Sequence, residues 1–134
     1  MLTKKVLTHD DARKIAAAAE AEAKNNGWAV TIAIVDDGGH LLWLQRLDGA
    51  APISAYIGPE KARAAAMGRR ETKIYEDMIN NGRTAFLSAP LAGMLEGGVP
   101  IAVDGQVVGA VGVSGVKSSE DAQIARAGIA ALGA

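Results

Sequence analysis

Two apolar runs joined by a two-residue turn decide the fold: residues 96–115 read EGGVPIAVDGQVVGAVGVSG. Asp104-Gly105 between stretches rich in β-branched residues predicts an antiparallel hairpin with a tight turn. The second run is interrupted by Gly109, Gly112 and Gly115. Glycines inside a strand indicate that a helix, a partner chain or a ligand approaches the backbone closely.

A second hairpin is predicted nearer the N-terminus. Residues 28–35 and 40–47 are apolar runs, and Asp36-Asp37-Gly38-Gly39 between them has the composition of a turn joining antiparallel strands. The two aspartates have two interpretations: acid/base or metal chemistry, or carboxylates that accept local backbone hydrogen bonds in the turn.

Helical patterns surround the two hairpins. Residues 8–26 have small apolar residues at spacings of three and four, with Thr8 as the predicted N-cap. Three further helices are predicted: one beginning at Gly58-Pro59-Glu60, one over residues 71–79, and one capped by Ser118 or Ser119. Residues 84–95 are ambiguous, because Pro90 argues against a regular central strand. This order predicts one α+β domain over residues 1–134, with helices packed against an antiparallel sheet.

Composition and charge exclude several classes of protein. The 134 residues carry 14 basic and 15 acidic side chains and a net charge of −1, whereas a nucleic-acid-binding protein normally has a basic excess. The absence of cysteine excludes disulfides and thiolate metal sites. No signal peptide or membrane span is recognised, so we expect a soluble cytoplasmic protein without membrane contact. Because glycine and alanine side chains bury little apolar area, we expect a homo-oligomer whose interfaces extend the core.

The glycine and serine patterns do not match known catalytic motifs. The spacing Gly109-x-x-Gly112-x-x-Gly115 differs from the dinucleotide fingerprint, so no nucleotide cofactor is expected. None of the candidate buried serines lies in the G-x-S-x-G motif of serine hydrolases. No catalytic residue is assigned from the sequence.

Arg46 and Lys61 are the candidate anion-binding residues. Arg46 follows a strand beside a glycine-containing loop, and Lys61 lies near the start of the next predicted helix. Together they could clamp a carboxylate or a haem propionate, with arginine as a fork and lysine as a point charge. The alternative is an ordinary ion pair of Arg46 with Asp48 or Glu60.

His9 and His40 are the only histidines, and their spacing forms no chelating motif. Each is either a surface residue or a single metal donor. Since haem iron needs only one or two axial ligands, haem is compatible with so few donors.

Several blocks of the chain resemble a known family. They are VDDGGHLL (residues 35–42), RLDGA (46–50), KA (61–62), GGVPI (97–101), GAVGVSG (109–115) and Glu120-Asp121 with the helix after it. Together they resemble the GlcG/HbpS family, which includes the C-terminal domain of PduO-type corrinoid adenosyltransferases. The resemblance covers nearly the whole chain.

The resemblance implies a profilin-like α+β fold with a five-stranded antiparallel sheet and flanking helices. It also implies a homo-oligomer, from a dimer up to an octamer, and a protein that binds haem or a related tetrapyrrole. The expected ligand-binding residues are then Arg46, Lys61, Gly98, Ser114 and Gly115. Axial ligands differ between branches of the family, so His40 and His9 are candidates because of their imidazole donors and not because of the resemblance.

Two alternatives to haem binding remain. The first is an enzyme or accessory factor for a small carboxylate in glycolate- or diol-type catabolism. In it Arg46 and Lys61 would hold the acid, and Asp36, Asp48 or Glu96 would be the base. The second is a scaffolding domain that works through its surface.

Overall fold

A four-stranded antiparallel sheet lies between helices in the computed structural model, which describes residues 1–133. The strand order is β2-β1-β4-β3, so β2 and β3 are the edges. The strands are β1 (Thr31–Asp36), β2 (Leu41–Arg46), β3 (Gly98–Val103) and β4 (Gln106–Ser114). The helices are α1 (His9–Asn25), α2 (Ser54–Gly68), α3 (Thr72–Asn80) and α4 (Ser118–Ala130), with a short 3-10 helix over Thr84–Ser88. Within residues 1–133 no helix is both long and apolar enough to cross a bilayer.

The expectation of a five-stranded sheet is wrong, because the described residues form four strands. The ambiguous stretch 84–95 was the place for a further strand between the two hairpins. It forms the short 3-10 helix and then an irregular segment in which Gly93 has φ +70°. Pro90 has no N–H to donate, and Gly93 has a left-handed backbone conformation, so this stretch does not form a regular strand ladder. The α+β class is retained, with helices on both faces of the sheet.

Both predicted hairpins are confirmed. Asp104 and Gly105 have φ values of +52° and +76°, as expected for the tight turn between β3 and β4. At the β1–β2 turn, one carboxylate oxygen of Asp36 accepts hydrogen bonds from the backbone N–H groups of Gly38 and His40, both at 2.9 Å. Asp36 therefore acts as a turn residue, as the second interpretation held.

The two faces of the sheet are packed differently. One face carries the main core, where α1 and α4 cover large side chains such as Ile32, Ile34 and Ile101. The other face carries a smaller cluster of Ala33, Val35 and Ala110 under the alanines of α2. Small side chains on both sides allow α2 to lie very close to the sheet.

Gly112 shows how close this approach is. A Cβ atom there would lie 2.1 Å from the carbonyl oxygen of Gly58 and 2.4 Å from the backbone nitrogen of Ala62. At Gly115, with φ +145°, a Cβ would lie 2.6 Å from the carbonyl oxygen of Ala29. Of the three explanations for these glycines, the structure therefore supports close approach by the chain's own backbone.

One predicted helix start is confirmed, and two are wrong. Thr8 caps α1 as expected, because its hydroxyl accepts a hydrogen bond from the backbone of Asp11 at 3.1 Å. The prediction that a helix begins at Gly58-Pro59-Glu60 is wrong, since α2 begins at Ser54 and contains Pro59 inside it. The predicted serine cap of α4 is also wrong: Lys117 is the N-cap, and its N–H donates to Glu120 at 3.2 Å.

Candidate functional site

Lys61 is the most deeply buried cation of the predicted site. It lies on α2, and its side chain is only 3% exposed. The ammonium donates to the carbonyl oxygen of Val113 at 2.9 Å and to a carboxylate oxygen of Asp121 at 3.1 Å. The other oxygen of Asp121 accepts from the backbone N–H of Val116 at 3.2 Å. This pair ties α2 to α4 across the end of β4.

Burial governs the electrostatics of this pair. Loss of water raises the pKa of Asp121 above its ordinary value, and the charge of Lys61 and the Val116 N–H offset this only in part. The carboxylate therefore depends on the ammonium to remain charged inside the protein. The protein itself supplies acceptors for two of the three N–H donors of the Lys61 ammonium.

Gly98 and its neighbour Gly97 make room for Lys61. A Cβ at Gly98 would lie 2.3 Å from the carbonyl oxygen of Lys61, and one at Gly97 would lie 2.7 Å from its ammonium nitrogen. The N–H of Gly98 donates to the hydroxyl of Thr72 at 2.8 Å. In the described chain these glycines serve packing around the buried ammonium.

Ser114 lies at the end of β4, opposite Thr31 of β1, and is 7% exposed. The Thr31 hydroxyl is in turn 2.7 Å from the hydroxyl of Ser54 at the start of α2. This places a small group of hydroxyls beneath the α2 N-terminus. The expected roles of Ser114 and Gly115 in ligand binding stay predictions.

Arg46 lies in different surroundings from Lys61. It ends β2 and lines an open groove with a volume of about 630 Å³. The groove is also lined by Glu20, Lys24, Gly27, Trp28, Ala29, Gln45, Leu47 and Asp48. Within residues 1–133, Arg46 forms no ion pair with Asp48, Glu60 or any other acid, so the ion-pair alternative is not observed. The second cation of this groove is Lys24, 3.4 Å from Glu20, and not Lys61.

His40 is held by the β1–β2 turn. Its Nδ1 lies 3.2 and 3.3 Å from the two carboxylate oxygens of Asp36, and its side chain is 81% exposed. In a neutral imidazole, a carboxylate beside Nδ1 selects the tautomer with the proton at Nδ1, and this tautomer leaves the Nε2 lone pair free to bind a metal. This arrangement is typical of a histidine that coordinates a metal.

The surroundings of His40 include apolar and cationic side chains. A Cβ at Gly39 would lie 2.8 Å from Cγ of Arg63 and 3.4 Å from Cγ of Met67, so α2 flanks the turn. Met67 and Leu41 are each about half exposed. On the far side, Asp37 accepts a hydrogen bond from Lys4, which holds the pKa of that carboxyl below its usual range.

His9 has a different environment. It begins α1, and its ring lies 5.6 Å from that of Trp43, at an interplanar angle of 38°. The indole N–H of Trp43 donates to Gln45 at 2.7 Å. Unlike His40, His9 has no hydrogen bond or ion pair to a carboxylate in the part of the chain that the structure describes. Nowhere in residues 1–133 do three or more acidic or histidine side chains form a group that could hold a metal ion.

Comparison with known proteins places this arrangement in a family. The sequence profile described as haem degrading protein HbpS-like matches residues 7–130. Protein GlcG of Escherichia coli K12 is 63% identical over 114 residues, which cover 85% of each chain. The chain therefore belongs to the HbpS-like family, as its sequence blocks indicated.

Solved structures agree with this membership. HbpS of Streptomyces reticuli, solved as a double mutant, is 32% identical with a TM-score of 0.89, covering 100% of this chain and 92% of that one. The PduOC:heme complex is 26% identical with a TM-score of 0.85, covering 95% of each chain. The latter shows that a domain of this fold holds haem.

Proposed function

We propose that this protein is a cytoplasmic homo-oligomer that binds haem or a related tetrapyrrole, with His40 as an axial ligand. Family membership and the haem complex of a domain with this fold support the ligand class. The observation that carries the assignment to His40 is its hydrogen bond to Asp36, because it leaves Nε2 as a free imidazole donor.

The residues around His40 fit a haem group chemically. An imidazole nitrogen is a common axial ligand of haem iron. Leu41 and Met67 offer exposed apolar surface to a macrocycle, and Arg63 offers a cation to a propionate. Haem would supply an iron centre at this surface, and the chain's contribution is to hold and orient the imidazole.

Titration of the protein with hemin tests this proposal. Wild-type protein is expected to shift the Soret band and to saturate at a fixed stoichiometry. His40→Ala should lose this shift or weaken binding at least tenfold, while the matched variant His9→Ala should bind as wild type. Absence of saturable binding by wild type would refute haem binding. Loss of binding in His9→Ala alone would refute the assignment to His40.

The groove around Arg46 supports a second candidate function, the binding of a small carboxylate. Within residues 1–133 the Arg46 side chain forms no ion pair, and it faces a groove that also contains Lys24 and the half-buried Trp28. Calorimetry with a panel of 2-hydroxy acids tests this candidate. If one binds, Arg46→Ala should lower the affinity by about 1.5–3 kcal/mol, as for a charged hydrogen bond. Lys117→Ala, outside the groove, should have no effect; equal effects of both variants would contradict the candidate.

A further inference from the structure

The two edges of the sheet differ in their protection. On the β3 edge, the N–H of Gly98 donates to the Thr72 hydroxyl at 2.8 Å, and that hydroxyl lies 3.4 Å from the Gly98 carbonyl oxygen. Two residues further along the same edge is Pro100, which has no N–H. Prolines and side-chain caps are known means of blocking edge strands. The β3 edge is therefore closed to further pairing.

The β2 strand contains no proline, and no side chain among the described residues 1–133 caps its free edge. Its sequence, LLWLQR, contains no charged residue before Arg46. Leu41 and Leu44 are 51% and 45% exposed. An exposed apolar edge strand is a template for pairing with another strand.

Hydrogen-bond alternation identifies the free backbone groups of this edge. The N–H of Leu47 donates to the carbonyl oxygen of Val30 at 2.9 Å, so residue 47 bonds towards β1. In an antiparallel pair every second residue makes such bonds. Leu44 and Arg46, opposite Ala33 and Thr31, therefore direct their N–H and C=O groups away from β1.

The regular part of the free edge is short. The register between β1 and β2 shifts between Ile34 and Val35, which pair with Trp43 and Leu41, so Leu42 is the extra residue of a bulge. Residues 43–46 remain as an uninterrupted ladder. Any partner strand must match this four-residue segment.

We propose that β2 pairs antiparallel with β2 of a second copy of this chain, across a two-fold axis at Gln45. This proposal deepens the homo-oligomer part of the proposed function and does not depend on haem. In this register Leu44 lies opposite Arg46 of the second copy, and Arg46 opposite its Leu44. Each pair exchanges both of its backbone hydrogen bonds, so all the outward groups of both residues are satisfied.

The second copy is the occupant that this segment fits best. A two-fold axis makes a surface complementary to itself, and the paired residues are 44–46 of each copy, so the bulge at Leu42 does not interfere. It also keeps the two Arg46 side chains from lying directly opposite each other. The aliphatic stem of each arginine packs instead over the leucine of the second copy.

The test compares molar mass by light scattering at micromolar concentration for three single variants of the full chain. Leu44→Pro removes an outward N–H and no hydrogen bond to β1, although its ring also fixes φ. Leu44→Lys places a charge on the edge and leaves the backbone intact. Both are expected to reduce the mass of the assembly, with unchanged circular dichroism. Leu87→Lys is the matched control, because Leu87 is 61% exposed but lies on the 3-10 helix, away from the β2 edge.

Hydrogen exchange provides a second readout. The amides of Leu44 and Arg46 should exchange slowly in the wild-type assembly and rapidly in Leu44→Lys. The proposal is overturned if both Leu44 variants keep the wild-type mass, or if only Leu87→Lys dissociates the assembly. A monomeric wild-type protein would overturn both this proposal and the expected oligomer. Hemin binding is measured separately, so its failure leaves the edge proposal standing.

Discussion

Replacing Lys61 with methionine tests the role of the buried ion pair. Methionine has nearly the length of the lysine stem but no charge and no donor. The change deletes the hydrogen bonds to Val113 and Asp121, at 2.9 and 3.1 Å, and leaves the carboxylate of Asp121 with one backbone donor. Removing one partner of a buried pair costs about 3–5 kcal/mol. That is a large part of the roughly 5–15 kcal/mol by which a small domain is stable.

The effect of Lys61→Met should depend on pH. Burial already raises the pKa of Asp121 above its ordinary value near 3.8, and loss of the ammonium raises it further. At a pH between the pKa of Asp121 in the unfolded chain and its higher pKa in the folded variant, the folded state binds more protons than the unfolded state. The free energy of unfolding therefore falls as the pH rises from the lower to the higher pKa. The destabilisation is therefore greatest near neutral pH and shrinks towards pH 4.

Urea denaturation followed by circular dichroism, at neutral and at acidic pH, measures both effects. The double variant Lys61→Met/Asp121→Leu removes both charges, so it should be less destabilised than the sum of the single variants, by about 1–3 kcal/mol. A loss below about 1 kcal/mol for Lys61→Met at neutral pH, or a loss that does not change with pH, would refute the reasoning.

Three further predictions follow from local geometry. Gly112→Ala should destabilise the fold by about 3 kcal/mol or more, because its Cβ would meet the α2 backbone, which cannot rotate away. A urea denaturation curve that gives the wild-type free energy of unfolding would contradict this. Thr8→Ala should cost about 1 kcal/mol through loss of the bond from Asp11, whereas Thr8→Ser should not, as thermal unfolding of both would show. Asp36→Asn should weaken hemin binding by about tenfold, because the amide holds the His40 imidazole less firmly; equal affinities would argue against a positioning role.

Features set by local chemistry were predictable from the sequence. The Asp104-Gly105 turn and the Thr8 cap depend only on residues a few positions apart, and both are observed. The start of α2 was missed because residues 53–58 (ISAYIG) include β-branched and glycine residues that lower helix propensity. Packing against the sheet overrides that preference. The expectation of a fifth strand came from the family resemblance and not from residues 84–95 themselves, where Pro90 argued against a regular strand.

The candidate site was harder to predict because it depends on tertiary contacts. Arg46 and Lys61 are fifteen positions apart in sequence, yet only Arg46 lines the groove, and Lys61 turns into the interior. The pairing of Lys61 with Asp121 was missed, although a signal existed. Each lies on the buried stripe of its helix, beside Ala62 and Ala122 respectively, where an unpaired charge is not tolerated. The Asp36–His40 contact was within reach of sequence reasoning, since both belong to one turn.

The assignment of His40 as the axial ligand is tested most directly by magnetic resonance of the ferric haem complex. Protein grown with ¹⁵N-labelled histidine is mixed with hemin, and the nitrogen hyperfine couplings at the iron are recorded. A ¹⁵N coupling present in wild type and in His9→Ala but absent in His40→Ala is the expected result. A coupling that survives in His40→Ala, or no ¹⁵N coupling in wild-type protein that has bound hemin, would contradict it.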